Sequence, residues 1–109
     1  MFIEAAVIAL IVKAVAAIPI AVAVTVLVLN FAQIIDWFKA RRTNIPEVEK
    51  TKIYFTLLDL LASGHYETVQ GVFDTRTRQL GNNVRSIRSA DIDARLAGYH
   101  RNNRLAIYE

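Results

Sequence analysis

AVAAIPIAVAVTVLVLNFAQII, residues 14–35, runs for twenty-two positions without a charged side chain. As a helix rising 1.5 Å per residue it would be about 33 Å long, enough for the roughly 30 Å hydrocarbon core of a bilayer. Period-2 alternation in Ala21-Val22-Ala23-Val24-Thr25-Val26 would indicate a strand in another setting. The apolar run is too long for one strand, however, and an open strand in lipid leaves its backbone groups unpaired. The stretch therefore reads as a single transmembrane helix, bent near its middle by Pro19.

The flanks extend this reading. Trp37 beside Lys39, Arg41 and Arg42 has the composition of a membrane-interface anchor, and Lys13 marks the opposite boundary. The dozen residues before Lys13 carry Glu4 and no basic cluster, so an uncleaved anchor is expected and not a signal peptide. Basic residues concentrate after the span. The positive-inside rule then places the N-terminus outside and the C-terminal domain in the cytoplasm. The expected organisation is a membrane-spanning helix with its interfacial flank over residues 1–42, followed by a small α+β domain over 43–109.

Within the second part, Thr43-Asn44-Ile45-Pro46 breaks the chain, and proline suits a first helical position. Ile53, Leu57, Leu60 and Leu61 then suggest a helix over 46–63, stopped at Gly64. Residues 66–73 read as a strand, and 75–88 as a hairpin closed at 81–83 or as one strand with a loop. Ser89 is expected to cap a helix over 90–101, and 105–108 to form a last strand. The fold class is thus a single transmembrane α-helix followed by an approximately α-β-β-α-β module.

Composition excludes several kinds of chemistry. The chain has no cysteine, so disulfides, iron–sulfur clusters and thiolate zinc sites are absent. Its two histidines, His65 and His100, lie outside the apolar stretch and cannot ligate a pigment there. Asp91 and Asp93 could hold a hard cation, but carboxylates in a first helical turn are favourable without one. The serines have no nucleophile-elbow context and a single Gly71 is no phosphate loop. No catalytic residue, metal or cofactor is expected.

Two surfaces suggest contacts. Ala17, Ala21 and Thr25 sit four apart, the small-residue spacing with which membrane helices approach one another closely. From Arg76 to Arg104 there are seven arginines against two acids, Asp91 and Asp93. Of these, Arg76, Arg78, Arg85 and Arg88 would face an acidic protein or an anionic lipid surface, with Arg76 and Arg78 on one side of a strand. Nucleic acid is disfavoured, because no binding motif accompanies the charge. The expected function is a non-catalytic accessory or assembly subunit. Its partners would be other membrane protein subunits, membrane lipid or copies of itself. The alternatives are a self-assembling structural subunit and a tethered polyanion-binding module.

Overall fold

A computed structural model describes residues 5–18, 20, 22–80, 84–101 and 103–108 of the chain. The apolar stretch is not one helix. Helix α1 (Ala5–Ala17) ends before Pro19, strand β1 (Val22–Leu29) follows, and helix α2 (Phe31–Lys39) starts after Asn30. Proline lacks the N–H that a helix interior requires and clashes with the carbonyl one turn back, so α1 cannot continue through it. Asn30 is the N-cap of α2, and its backbone N–H donates to the Gln33 side-chain oxygen at 3.0 Å, the returning half of a capping box. Between these two marks lies VAVTVLVL, dominated by β-branched residues that suit a pleated surface.

The expected transmembrane fold is thereby corrected. Among the described residues no helix is long and apolar enough to cross a membrane. The longest, α1, has 13 residues and so extends about 20 Å, well short of a bilayer core. The single-pass topology, with an external N-terminus and a cytoplasmic domain, has no helix to carry it.

A second correction concerns residues 46–63. Helix α3 (Pro46–Glu49) closes after one turn, and strand β2 (Lys52–Leu60) takes the rest. Strands β3 (Tyr66–Asp74), β4 (Val84–Ile92) and β5 (Leu105–Tyr108) complete the sheet, with helix α4 (Ala94–Tyr99) between the last two. The strands expected over 66–73 and 105–108 are thus β3 and β5, while the last helix is shorter than the 90–101 expected. The β2–β3 connection turns at Gly64, whose φ of 87° is the left-handed conformation that glycine adopts without a Cβ clash.

The five strands run in the order β1-β4-β3-β2-β5. β1 pairs with β4 in parallel, and all other neighbours are antiparallel. Both faces of the sheet are covered. On one, Ile11 of α1 packs with Ile53, Phe55, Leu57, Val69 and Phe73. On the other, Ile34 and Phe38 of α2 and Leu96 of α4 pack with Tyr54, Val72, Ile87 and Tyr108. An aromatic layer fills this second face: the Phe38 ring lies 5.3 Å from Tyr54, edge-on, and 5.2 Å from Tyr108. Such spacings favour ring pairs beyond simple area burial.

Asp93 ties the helices of this layer together. Its carboxylate accepts the Leu96 N–H at 2.8 Å, capping α4, and the Phe31 N–H at 2.8 Å, at the start of α2. Ser89, the cap expected from the sequence, instead lies buried within β4. Asp93→Ala leaves two helix-terminal amides without acceptors and should cost about 2 kcal/mol, roughly twice an ordinary cap loss. Chemical denaturation of Asp93→Ala beside Asn30→Ala tests this, with the larger drop in midpoint expected for Asp93→Ala.

Candidate functional site

Strand β1 is an edge of the sheet, and it is an unusual edge. Its sequence contains no charged residue, proline or glycine across eight positions. Edge strands present unpaired N–H and C=O groups, and proteins normally guard them with charge, proline, a bulge or short length. β1 carries a register irregularity between Val22 and Val24, after which Val24 pairs with Ile87 through to Leu29 with Ile92 at one constant offset.

The direction of the backbone groups on the side of β1 that no described strand covers follows from one bond. The Leu29 carbonyl accepts the Asp93 N–H at 3.0 Å, so Leu29 faces the β4 side. Alternate residues of a strand turn their N–H and C=O groups to opposite sides. Over the unbroken register, Thr25 and Leu27 therefore share the orientation of Leu29. Val24, Val26 and Val28 point their N–H and C=O groups to the open side. The side chains of Val24 and Val26 pack onto the core beneath α2. Thr25 and Leu27 emerge on the α1 face, where Leu27 is 79% exposed. They line a shallow depression with Ser63, His65 and Arg88. α1 covers the sheet over β2 and β3 and leaves this part of it open.

The residues singled out from the sequence are scattered by this fold. Ala17 ends α1, Thr25 lies on β1, and Ala21 is outside the described residues, so the three form no helical packing stripe. The expected interface anchors also have other surroundings. Lys13 is on the exposed side of α1. Trp37 packs partly against the core. The Arg41 guanidinium stacks 3.6 Å from the Trp37 ring centroid and donates to the Trp37 carbonyl at 3.0 Å. Arg42 lies over the Tyr54 ring and 3.7 Å from Glu49, and Lys39 closes the last turn of α2. Arg41 thus covers a helix C-terminus, where cations are favoured.

The four arginines expected to share a surface do not share one. Arg76 and Arg78 lie in the turn after β3, and Arg78 has a φ of 59°. Arg76 stands 3.8 Å from Asp74, and Arg88 is bound to Glu67 at 3.1 Å. Arg85 is half-buried on the opposite face from Arg88, donating to the Gln70 side chain at 2.8 Å with its guanidinium 5.2 Å from Trp37. Burial, and then the charge of Arg41, lower its pKa. Of the aspartates, Asp93 is the double cap and Asp91 accepts the Ile92 N–H. No group of side chains able to hold a metal ion occurs among the described residues.

A buried polar row crosses the sheet beneath α2. Thr56 on β2, Gln70 on β3 and Arg85 on β4 are cross-strand neighbours. Gln70 donates to the Ile34 carbonyl at 2.8 Å, holding α2 in place. Thr56 Oγ1 lies 2.6 Å from His100 Nε2 and 2.8 Å from the Tyr108 hydroxyl. His100 Nδ1 is 3.1 Å from the Asn103 carbonyl, which can only accept. The proton of the neutral ring therefore sits on Nδ1, Thr56 donates to Nε2, and Tyr108 donates to Thr56. The row's hydrogen bonds are made among these side chains and to the Ile34 and Asn103 carbonyls, and Tyr108 at its end also lines an open depression with Arg42, Glu49, Lys52 and Tyr54.

Comparison with known protein families, with characterised proteins and with solved structures finds no match. Sequence reasoning missed the free edge, because an edge is a property of strand order. The signal present was the alternating segment from Ala21 to Val26.

Burial lowers the His100 pKa below its ordinary value of 6.5. The unfolded chain then binds this proton more readily than the folded one, so the stability tied to neutral His100 is complete above the unfolded pKa. It is lost as pH falls through that value. The melting midpoint should therefore fall between about pH 7.5 and about pH 5. In His100→Gln that slope should be flatter, as thermal melts across the range would show.

Proposed function

We propose that this chain is a non-catalytic assembly subunit whose β1 edge takes a further strand from another polypeptide. The carrying observation is the set of outward N–H and C=O groups at Val24, Val26 and Val28, on an eight-residue edge bearing no charge and no proline. Strand addition supplies affinity through the main chain and selectivity through alternate side chains. The exposed Leu27 and Thr25 are the selective positions on one face. Non-catalytic action fits the described site: the polar row is engaged within the fold, and beside the edge Arg88 is paired with Glu67 while His65 lies against the Ser63 hydroxyl.

The basic residues support assembly less directly. Most are engaged by an acid, a ring or a helix end, so a dedicated polyanion surface has little to stand on. The reading is of a small sheet completed from outside.

Amide hydrogen exchange tests it. In the full chain isolated natively from its own cells, the amides of Val24, Val26 and Val28 should exchange slowly, like those of β3. Fast exchange at all three would leave the edge bare and overturn the reading. Val26→Pro removes an outward N–H and spares the ladder to β4, a position where edge strands tolerate proline. The variant should keep its circular dichroism and lose its assembly. If it does not fold, Leu27→Lys places a charge on the edge without touching the core and should have the same effect on assembly.

A further inference from the structure

We infer that the strand laid on β1 is β1 of a second copy, antiparallel and related by a two-fold axis through Val26, so that two chains form one ten-stranded sheet. This rests on the strand-addition reading above and deepens it by naming the partner.

Self-pairing fits on three grounds. First, the outward residues are three in number and evenly spaced. A two-fold at Val26 pairs Val26 with its own copy, Val24 with the other Val28 and Val28 with the other Val24. Each such pair exchanges two hydrogen bonds, so all the outward groups from Val24 to Val28 are used. Shifting the axis to Leu27 would set Val24 against Asn30, whose N–H is already given to Gln33. Shifting it to Thr25 runs Val28 into the irregular start of the strand. Val26 is the centre that wastes nothing.

Second, the charge pattern permits it. A C2 contact brings each residue against itself or a near neighbour, so any charge on β1 would face its like. The strand has none. On the α1 face the pairing sets each Leu27 opposite the other chain's Thr25, an apolar group against a β-branched one, which suits a cross-strand pair. The axis stands perpendicular to the sheet. Both α1 helices therefore lie on one side, and the two open strips of Thr25 and Leu27 join into a single shallow trough between them.

Third, the opposite edge of the sheet is a poor partner. β5 has only four residues. Head-to-tail pairing of β1 with β5 would leave half of β1 uncovered, and repetition would build an open polymer. The two-fold arrangement closes after two copies.

The test uses the full chain, which contains no native cysteine to confuse cross-linking. Thr25 and Leu27 of opposite copies would form a non-hydrogen-bonded pair with Cα atoms about 4.5 Å apart, within disulfide reach. Sedimentation equilibrium of the wild-type chain should return twice the monomer mass. Thr25→Cys/Leu27→Cys should oxidise to a covalent dimer, with peptide mass mapping showing position 25 joined to position 27 of the other copy. A bridge joining the two copies of position 27 to each other would overturn the Val26 axis. A wild-type chain that stays monomeric at all concentrations overturns self-pairing. The amide measurement then separates the two claims: protected Val24, Val26 and Val28 in natively isolated protein would mean a strand from a different polypeptide, whereas exposed amides would remove the strand-addition reading as well.

Discussion

The parallel ladder between β1 and β4 is the contact on which the rest of the molecule depends. β2 lies antiparallel to β3, and β3 antiparallel to β4, so β2 runs in the same direction as β1. The segment β1-α2-β2 is therefore a crossover between parallel strands, one that passes over two intervening strands of the sheet. Parallel neighbours cannot be joined by a tight turn, and here α2 makes the passage across one face. The gap it leaves is filled by β3 and β4, which return as consecutive antiparallel strands. Without the ladder, α2 would have no strand edge to start from, and α1 would have no fixed point from which to reach the opposite face.

Held this way, the helices divide the apolar residues between two layers. α1 is hydrophobic nearly all round, yet only Ile11 of its residues is fully buried. α2 is strongly amphipathic, with Phe31, Ile34 and Phe38 buried on one stripe. The Gln70 bond to the Ile34 carbonyl fixes the rotation of α2, because it is made only when that part of the helix lies over the polar row. A helix held by hydrophobic contact alone could slide; an amide donor buried in the sheet has one place to go, and leaving it unpaired would cost about 1–3 kcal/mol.

Much of this was legible locally, and the failures have specific causes. β3 and β5 announce themselves by alternation and β-forming composition. Residues 53, 57 and 61 mislead, because a spacing of four puts side chains on one face in a strand as well as near one face in a helix. Leu60 was the residue that required the helix, and it is 67% exposed. The 14–35 stretch fails differently. A hydropathy average over some twenty residues cannot distinguish a membrane helix from a helix end, a strand and a helix start placed in succession. The distinguishing residues are few: Pro19 ahead of β1, and Asn30 with Gln33 at the start of α2. Both are polar or conformational signals, and averaging removes them. The candidate edge was legible only in part. The alternation from Ala21 to Val26 shows a strand, but which of its sides is left open depends on β4, more than sixty residues away.

That separation in sequence also bears on why an uncharged edge is tolerable. Until β4 has formed, β1 is an eight-residue, β-branched, uncharged segment free on both sides, the composition that seeds aggregation. Pairing with β4 removes one side, and α2, following at once after Asn30, covers one face. The remaining edge is as apolar as the first, and charge at Thr25 or Leu27 would have guarded it without disturbing the core. A single lysine there would be the ordinary safeguard. Its absence makes sense where the second edge is also occupied in the working molecule. The same lack of charge that makes 14–35 resemble a membrane span is then the property that lets a strand be closed on both sides.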